Sequence, residues 1–126
     1  MTPHDGPGGR TPDPHPYSPA FAAGGFAFVS GALSVDPEGT AVPGRVEALE
    51  AAIARMTERL ATVGGRLEHV VKLTYFVTDV TLRDEANRQF EQVFSHPRPA
   101  RTFLEVSALP YGATVEIDCI ALLADA

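Results

Sequence analysis

Residues 45–77 read RVEALEAAIARMTERLATVGGRLEHVVKLTYFV, and they hold both of the hydrophobic periods that a mixed fold needs. In residues 45–63 the apolar side chains fall at Val46, Leu49, Ile53, Met56, Leu60 and Val63. Steps of three and four place them on one stripe of an amphipathic helix. Pro43 stands just before this segment and Gly64-Gly65 just after it, as helix start and stop rules require. At ~1.5 Å per residue such a helix is about 28 Å long. His69 to Val77 then changes character: it is short and rich in β-branched and aromatic residues, which reads as a strand.

Toward the N-terminus, Ala20 to Leu33 (AFAAGGFAFVSGAL) is two short apolar runs punctuated by Gly24-Gly25, the pattern of a β-hairpin with a tight turn. Asp36-Pro37-Glu38-Gly39 is a second turn signal. Toward the C-terminus, Thr81 offers a helix N-cap with Asp84 three residues on. The helix it opens carries Leu82, Ala86, Phe90, Val93 and Phe94 on one side, and His96-Pro97-Arg98-Pro99 stops it. Two strands close the chain, Arg101 to Val106 and Thr114 to Leu122, joined through Leu109-Pro110-Tyr111-Gly112. The order ββαβαββ gives an α+β or mixed α/β single domain, one mixed sheet with both helices on one face. The other face is then an apolar surface in need of cover, and oligomerisation is the economical way to cover it.

The chain has 126 residues, enough for one domain and too few for two. With 44% hydrophobic and 21% charged residues it has the balance of a globular protein, which excludes disorder, a collagen-like fibre or a disulfide scaffold. No apolar run approaches the ~20 residues of a membrane span. The net charge of −6 argues against nucleic acid as a partner, since binders of it carry a basic footprint. A lone cysteine, Cys119, forms no internal disulfide and fits a reducing, cytoplasmic setting. Residues 1–15 are Pro/Gly-rich and read as a flexible tail ahead of a domain over 16–126.

The chain carries no Gly-rich phosphate loop, HExxH, paired cysteines or nucleophile elbow, and His4, His15, His69 and His96 lack ligand spacing, so no metal or cofactor is expected. Cys119 alternates with Val115 and Ile117, the pattern of a buried structural thiol. In a strand beginning at Arg101, the side chains of Arg101, Phe103 and Glu105 share one face; on the last strand Glu116 and Asp118 oppose Val115, Ile117 and Cys119. Read as neighbours on adjacent strands, Arg101 and Glu116 are open to two interpretations: a structural ion pair or part of a ligand site.

The block PARTFLEVSALPYGATVEIDCIA (99–121) resembles the signature region of the RidA (YjgF) family: an Arg opening a strand, then Glu-Val, Leu-Pro and a turn, then Val-Glu-Ile and Ile-Ala. Pro16-Tyr17-Ser18, Ser30-Gly31, Val63-Gly64, Val71-Lys72, Phe76-Val77-Thr78-Asp79 and Asn87 extend the likeness over roughly residues 16–124. The resemblance implies a chorismate-mutase-like fold in a homotrimer, with sheets around a central barrel and three inter-subunit clefts. It implies hydrolysis of 2-imino or enamine acids of the 2-aminoacrylate type to 2-oxo acids and ammonia, without cofactor or membrane partner. Carried over by position, Arg101 binds the substrate carboxylate, Glu116 positions water and Tyr17 lines the cleft as catalytic residues, while Ser30, Gly31 and Asn87 surround it. An Arg fork suits a planar carboxylate, and a carboxylate can take the proton of an attacking water at neutral pH.

The chain departs from the family pattern in places. Phe103 stands where many active members have Cys, on the same strand face as Arg101, and so joins the substrate-binding positions. Ala32 replaces a frequent Gln, and Ala48 and Arg55 replace a Gln and an Asn of the first helix. Two alternatives to a small-imine deaminase follow: a non-catalytic trimer that binds small carboxylates or a protein partner, and a pathway enzyme acting on a larger imine or enamine.

Overall fold

The structure, a computed structural model, describes residues 15–123. The expected tail lies outside the described residues except for His15. Five strands and two α-helices follow the expected order: β1 (Ala20–Ala23), β2 (Phe26–Leu33), α1 (Arg45–Ala61), β3 (Val70–Val77), α2 (Arg83–Val93), β4 (Ala100–Glu105) and β5 (Val115–Leu122). The strands form one sheet in the order β1-β2-β5-β3-β4. All neighbours are antiparallel except β3 and β4, which run parallel. A parallel return needs a crossover, and α2 supplies it.

The first hairpin turns where Gly24-Gly25 places it, with φ of 60° and 83°, the left-handed values a two-residue hairpin turn asks for. Ala27, Val29, Leu73, Tyr75, Val77, Val115, Ile117, Cys119 and Ala121 alternate onto one face and are buried there. Leu49, Met56 and Leu60 of α1, with Leu82 and Ala86 around α2, close over that face. Each large side chain fully withdrawn from water here contributes roughly 1.5–3 kcal/mol. Cys119 is a free, buried thiol in this layer, as its alternation required. Among the described residues, no helix is long and apolar enough to cross a membrane.

The opposite face of the sheet is not covered by any described residue. Phe21, Phe26, Phe28, Leu104 and Leu122 on it are 37–49% exposed, interleaved with Lys72, Thr74, Glu116 and Asp118.

Two local expectations are corrected. Thr81 is not the N-cap of α2. Asp79 is the capping residue, accepting from the Thr81 backbone N–H (2.9 Å) and from its hydroxyl (2.6 Å). It caps a single 3₁₀ turn, Val80–Leu82, that runs directly into α2. The Thr81 hydroxyl is turned away from α2, donating to Asp79 and accepting from Arg45 Nη2 at 3.3 Å, and α2 has no side-chain cap hydrogen bond of its own. The second correction concerns the last two strands. They are consecutive in sequence but not adjacent, because β3 lies between β4 and β5.

Candidate active site

The register fixes where each expected residue points. Arg101 pairs with Leu73, and Phe103 with Tyr75, so both lie on the helix-covered face, at the edge strand β4. Glu116 pairs with Leu33 and Phe76 on the open face. Arg101 and Glu116 therefore stand on opposite sides of the sheet with a strand between them, and the expected ion pair within one chain does not form. The expected residues fall into two groups.

The first group is built around Arg101. Its Nη2 donates to Asn87 Oδ1 of α2 at 2.6 Å. Its guanidinium carbon lies 5.1–5.2 Å from the ring centroids of Tyr75, Phe90 and Phe103, within the range of cation–π attraction. Tyr75 is itself held in place by its hydroxyl, which donates to Gln89 Oε1 at 3.0 Å. Burial lowers the Arg101 pKa, opposed by Tyr75 and reinforced by the nearby Arg83 cation. An Arg stays cationic through such a shift. Its Nη1 is buried and has no hydrogen-bond partner among the described residues. Leaving a buried donor unpaired costs about 1–3 kcal/mol, which an arriving acceptor would recover.

The second group is built around a bulge in β2. The register of β2 against β5 shifts between Val29 and Ala32, so Ser30 and Gly31 occupy the irregularity. The Ser30 hydroxyl donates to the Ser18 carbonyl at 2.6 Å, and its N–H to the Pro19 carbonyl at 3.0 Å. These bonds moor the segment that carries Tyr17, which is exposed and stacks on His15 with ring centroids 5.0 Å apart. Gly31 leaves the space that the Glu116 carboxylate fills: a Cβ on Gly31 would collide with it. Burial raises the Glu116 pKa, Asp118 raises it further, and Arg59 pulls it back. A half-buried carboxyl with a raised pKa is a better proton acceptor near neutral pH than an ordinary surface Glu.

Three participants were not expected from sequence. Tyr75 and Phe90 complete the aromatic box with Phe103, and their apolar spacing gave them the look of ordinary core. Arg59 is the third, 8% exposed and donating from Nη1 to the Gly31 carbonyl at 3.5 Å. A cation within the buried stripe of α1 was the available signal. A shallow cleft between α1 and α2, lined by Val46, Leu49, Glu50, Glu85 and Arg88, holds none of the expected residues. Among the described residues, no group of three or more His, Cys, Asp or Glu side chains is placed to hold a metal ion.

The family profile described as Endoribonuclease L-PSP matches residues 10–123. The chain belongs to the RidA family. It is 38% identical over 110 residues to the chloroplastic Reactive Intermediate Deaminase A of Arabidopsis thaliana, covering 86% of this chain and 59% of that protein. It is 37% identical over 109 residues to a 2-iminobutanoate/2-iminopropanoate deaminase of Capra hircus, covering 85% and 80%. The fold matches that of RidA from an Antarctic Psychrobacter with a TM-score of 0.80 at 32% identity, covering 89% and 92% of the two chains. The residues expected at the site thus fall in two separate places in one chain: Arg101, Phe103 and Asn87 at the β4 edge, and Tyr17, Ser30, Gly31 and Glu116 around the β2 bulge.

Proposed function

We propose that this RidA-family chain hydrolyses 2-imino and enamine acids to 2-oxo acids and ammonia. The observation that carries the reading is the state of Arg101: a guanidinium held by Asn87 and three rings, with Nη1 left without an acceptor. A carboxylate is the acceptor whose shape and charge fit it. Deaminase names among the relatives support the same reaction class.

Because Arg101 and Glu116 lie on opposite faces of the sheet, one chain does not offer both to a small substrate. We infer a homotrimer in which the uncovered sheet faces pack together and Glu116 of one copy meets Arg101 of the next. The exposed phenylalanines of that face support the packing. In such a cleft Arg101 holds the substrate carboxylate and Tyr17 borders the site. The iminium carbon is already electrophilic. Water adds to it as Glu116 takes the water proton, giving a carbinolamine; Glu116 returns that proton to the nitrogen, the C–N bond breaks and ammonia leaves, and the hydroxyl proton passes to Glu116 as the carbonyl of the 2-oxo acid forms.

Phe103 favours a second version of the reading. Its ring stands beside the Arg101 guanidinium at 5.2 Å, so a larger, flat or apolar imine side chain would find an aromatic surface there. The nuclease sense of the family description is not extended to this chain, whose charge of −6 opposes phosphate binding.

The test is a coupled assay in which a lyase releases 2-aminoacrylate and 2-oxo acid formation is followed. Wild type is expected to accelerate release and Arg101→Ala to abolish the acceleration with the assembly intact. Full activity in Arg101→Ala would end the assignment. Inactivity of both proteins toward small imines, with turnover of bulkier ones by wild type, would select the Phe103 version.

A further inference from the structure

Arg59 has no role in the reading above, yet its placement is unusual. It sits on the sheet-facing side of α1, is nearly fully buried, and among the described residues makes no ion pair. The hydrogen bond of its guanidinium is long, 3.5 Å from Nη1 to the Gly31 carbonyl. Gly31 is also the residue against which the Glu116 carboxylate rests. A buried guanidinium and a half-buried carboxyl thus approach the same glycine of the β2 bulge, one through its carbonyl and the other through its missing Cβ. A buried cation without a close counter-ion is costly, several kcal/mol in ordinary protein surroundings. Its field is screened little by water there, so it acts over more than contact distance.

We propose that Arg59 is a positioning residue for Glu116: it pins the Ser30–Gly31 bulge from beneath and supplies the fixed positive charge that keeps the Glu116 carboxylate ionised in its half-buried seat. The charged neighbours of Glu116 are few. Asp118 on β5 opposes ionisation and Arg59 on α1 favours it. The residues paired with Glu116 on β2 and β3, Leu33 and Phe76, carry no charge. Lys72 on β3 bonds instead to Thr74 and Thr102. Within one chain, removing Arg59 would therefore leave Asp118 and burial unopposed; in the proposed assembly Arg101 of the neighbouring copy also faces Glu116, equally in wild type and variant, so the shift between them reads Arg59 alone. The kinetic part of this inference rests on the proposed base role of Glu116; the electrostatic part does not.

The test uses the full-length assembled protein with ¹³C-labelled glutamate, the Glu116 carboxyl resonance being assigned by its loss in Glu116→Gln. Arg59→Gln keeps a donor for the Gly31 carbonyl and removes the charge; Arg59→Lys restores charge. The Glu116 titration midpoint is expected to move up in Arg59→Gln and to return toward wild type in Arg59→Lys. The acid limb of kcat/KM should move with it, so that the loss of activity is greater at acidic than at alkaline pH. An unmoved midpoint in Arg59→Gln would overturn the proposal. A moved midpoint with an unmoved acid limb would uphold the Arg59 effect and remove Glu116 from the proposed chemistry. Should Arg59→Gln not fold, Arg59→Met, which also lacks charge, gives the same titration.

Discussion

Replacing Arg101 by Met separates what the side chain does for the fold from what it does for a ligand. The substitution keeps an unbranched, flexible side chain among Tyr75, Phe90 and Phe103 and deletes the charge. Lost is the charge-assisted bond to Asn87, about 1.5–3 kcal/mol. Removed at the same time is the unpaired buried Nη1, a liability of about 1–3 kcal/mol. The cation–π contacts are largely replaced by sulfur–aromatic contacts of ~0.3–1.5 kcal/mol. These terms nearly cancel, so stability should change by less than about 1 kcal/mol and Tm by no more than about 5 °C. Activity should respond very differently. A carboxylate held by two charge-assisted bonds at about 1.5–3 kcal/mol each would lose about 3–6 kcal/mol, a fall in kcat/KM on the order of 10²–10⁴. Thermal unfolding and the coupled deaminase assay on one preparation give both numbers. A Tm lowered by more than about 10 °C with a matching loss of activity would show that Arg101 is a structural residue and refute the reasoning. So would kcat/KM within about threefold of wild type.

Other outcomes follow from the same geometry. Gly31→Ala drives a Cβ into the Glu116 carboxylate, so Glu116 must swing away: activity should fall at least ~10-fold, with overpacking costing about 1–3 kcal/mol in thermal unfolding. Burial, with some help from Asp118, pushes the Cys119 thiol from its ordinary 9.0 up to about 12, so a thiol-specific reagent at pH 9 should react only after denaturant is added. The native state then holds a proton that the unfolded chain releases above pH 9. This contribution to stability is intact below pH 9 and lost as pH rises toward about 12, a decline that Cys119→Ala should lack when unfolding is followed against pH. Asp79→Ala removes the cap at Thr81 and should cost about 0.5–2 kcal/mol, read as a lower urea midpoint with the coupled assay unchanged.

Much of the fold was legible in the linear text because its signals are local. The α1 stripe, the β3 run and the Gly24-Gly25 turn each declare themselves within a few residues, and each is found within two residues of its expected bounds. Alternation also told correctly that Phe103 shares a face with Arg101, and that Glu116 opposes Val115 and Ile117. What alternation does not carry is strand order. β3 lies between β4 and β5, and the register sets Arg101 on the helix-covered face and Glu116 on the open one, so the two stay apart although only fifteen positions separate them in sequence. Thr81 does not cap α2 for a smaller reason: its hydroxyl donates back to Asp79, and only geometry tells that it turns that way. Arg59 and the Tyr75–Phe90–Phe103 box were hidden because their partners come from distant segments.

The bulk of a β-sheet between Arg101 and Glu116 also has a genetic meaning in the proposed assembly. A subunit crippled at Arg101 still brings a sound Glu116, and one crippled at Glu116 still brings a sound Arg101. Two inactive alleles expressed together would therefore rebuild some working clefts, whereas either alone would build none. Such mutual rescue in a mixed population would reveal divided authorship of the site without a single new coordinate.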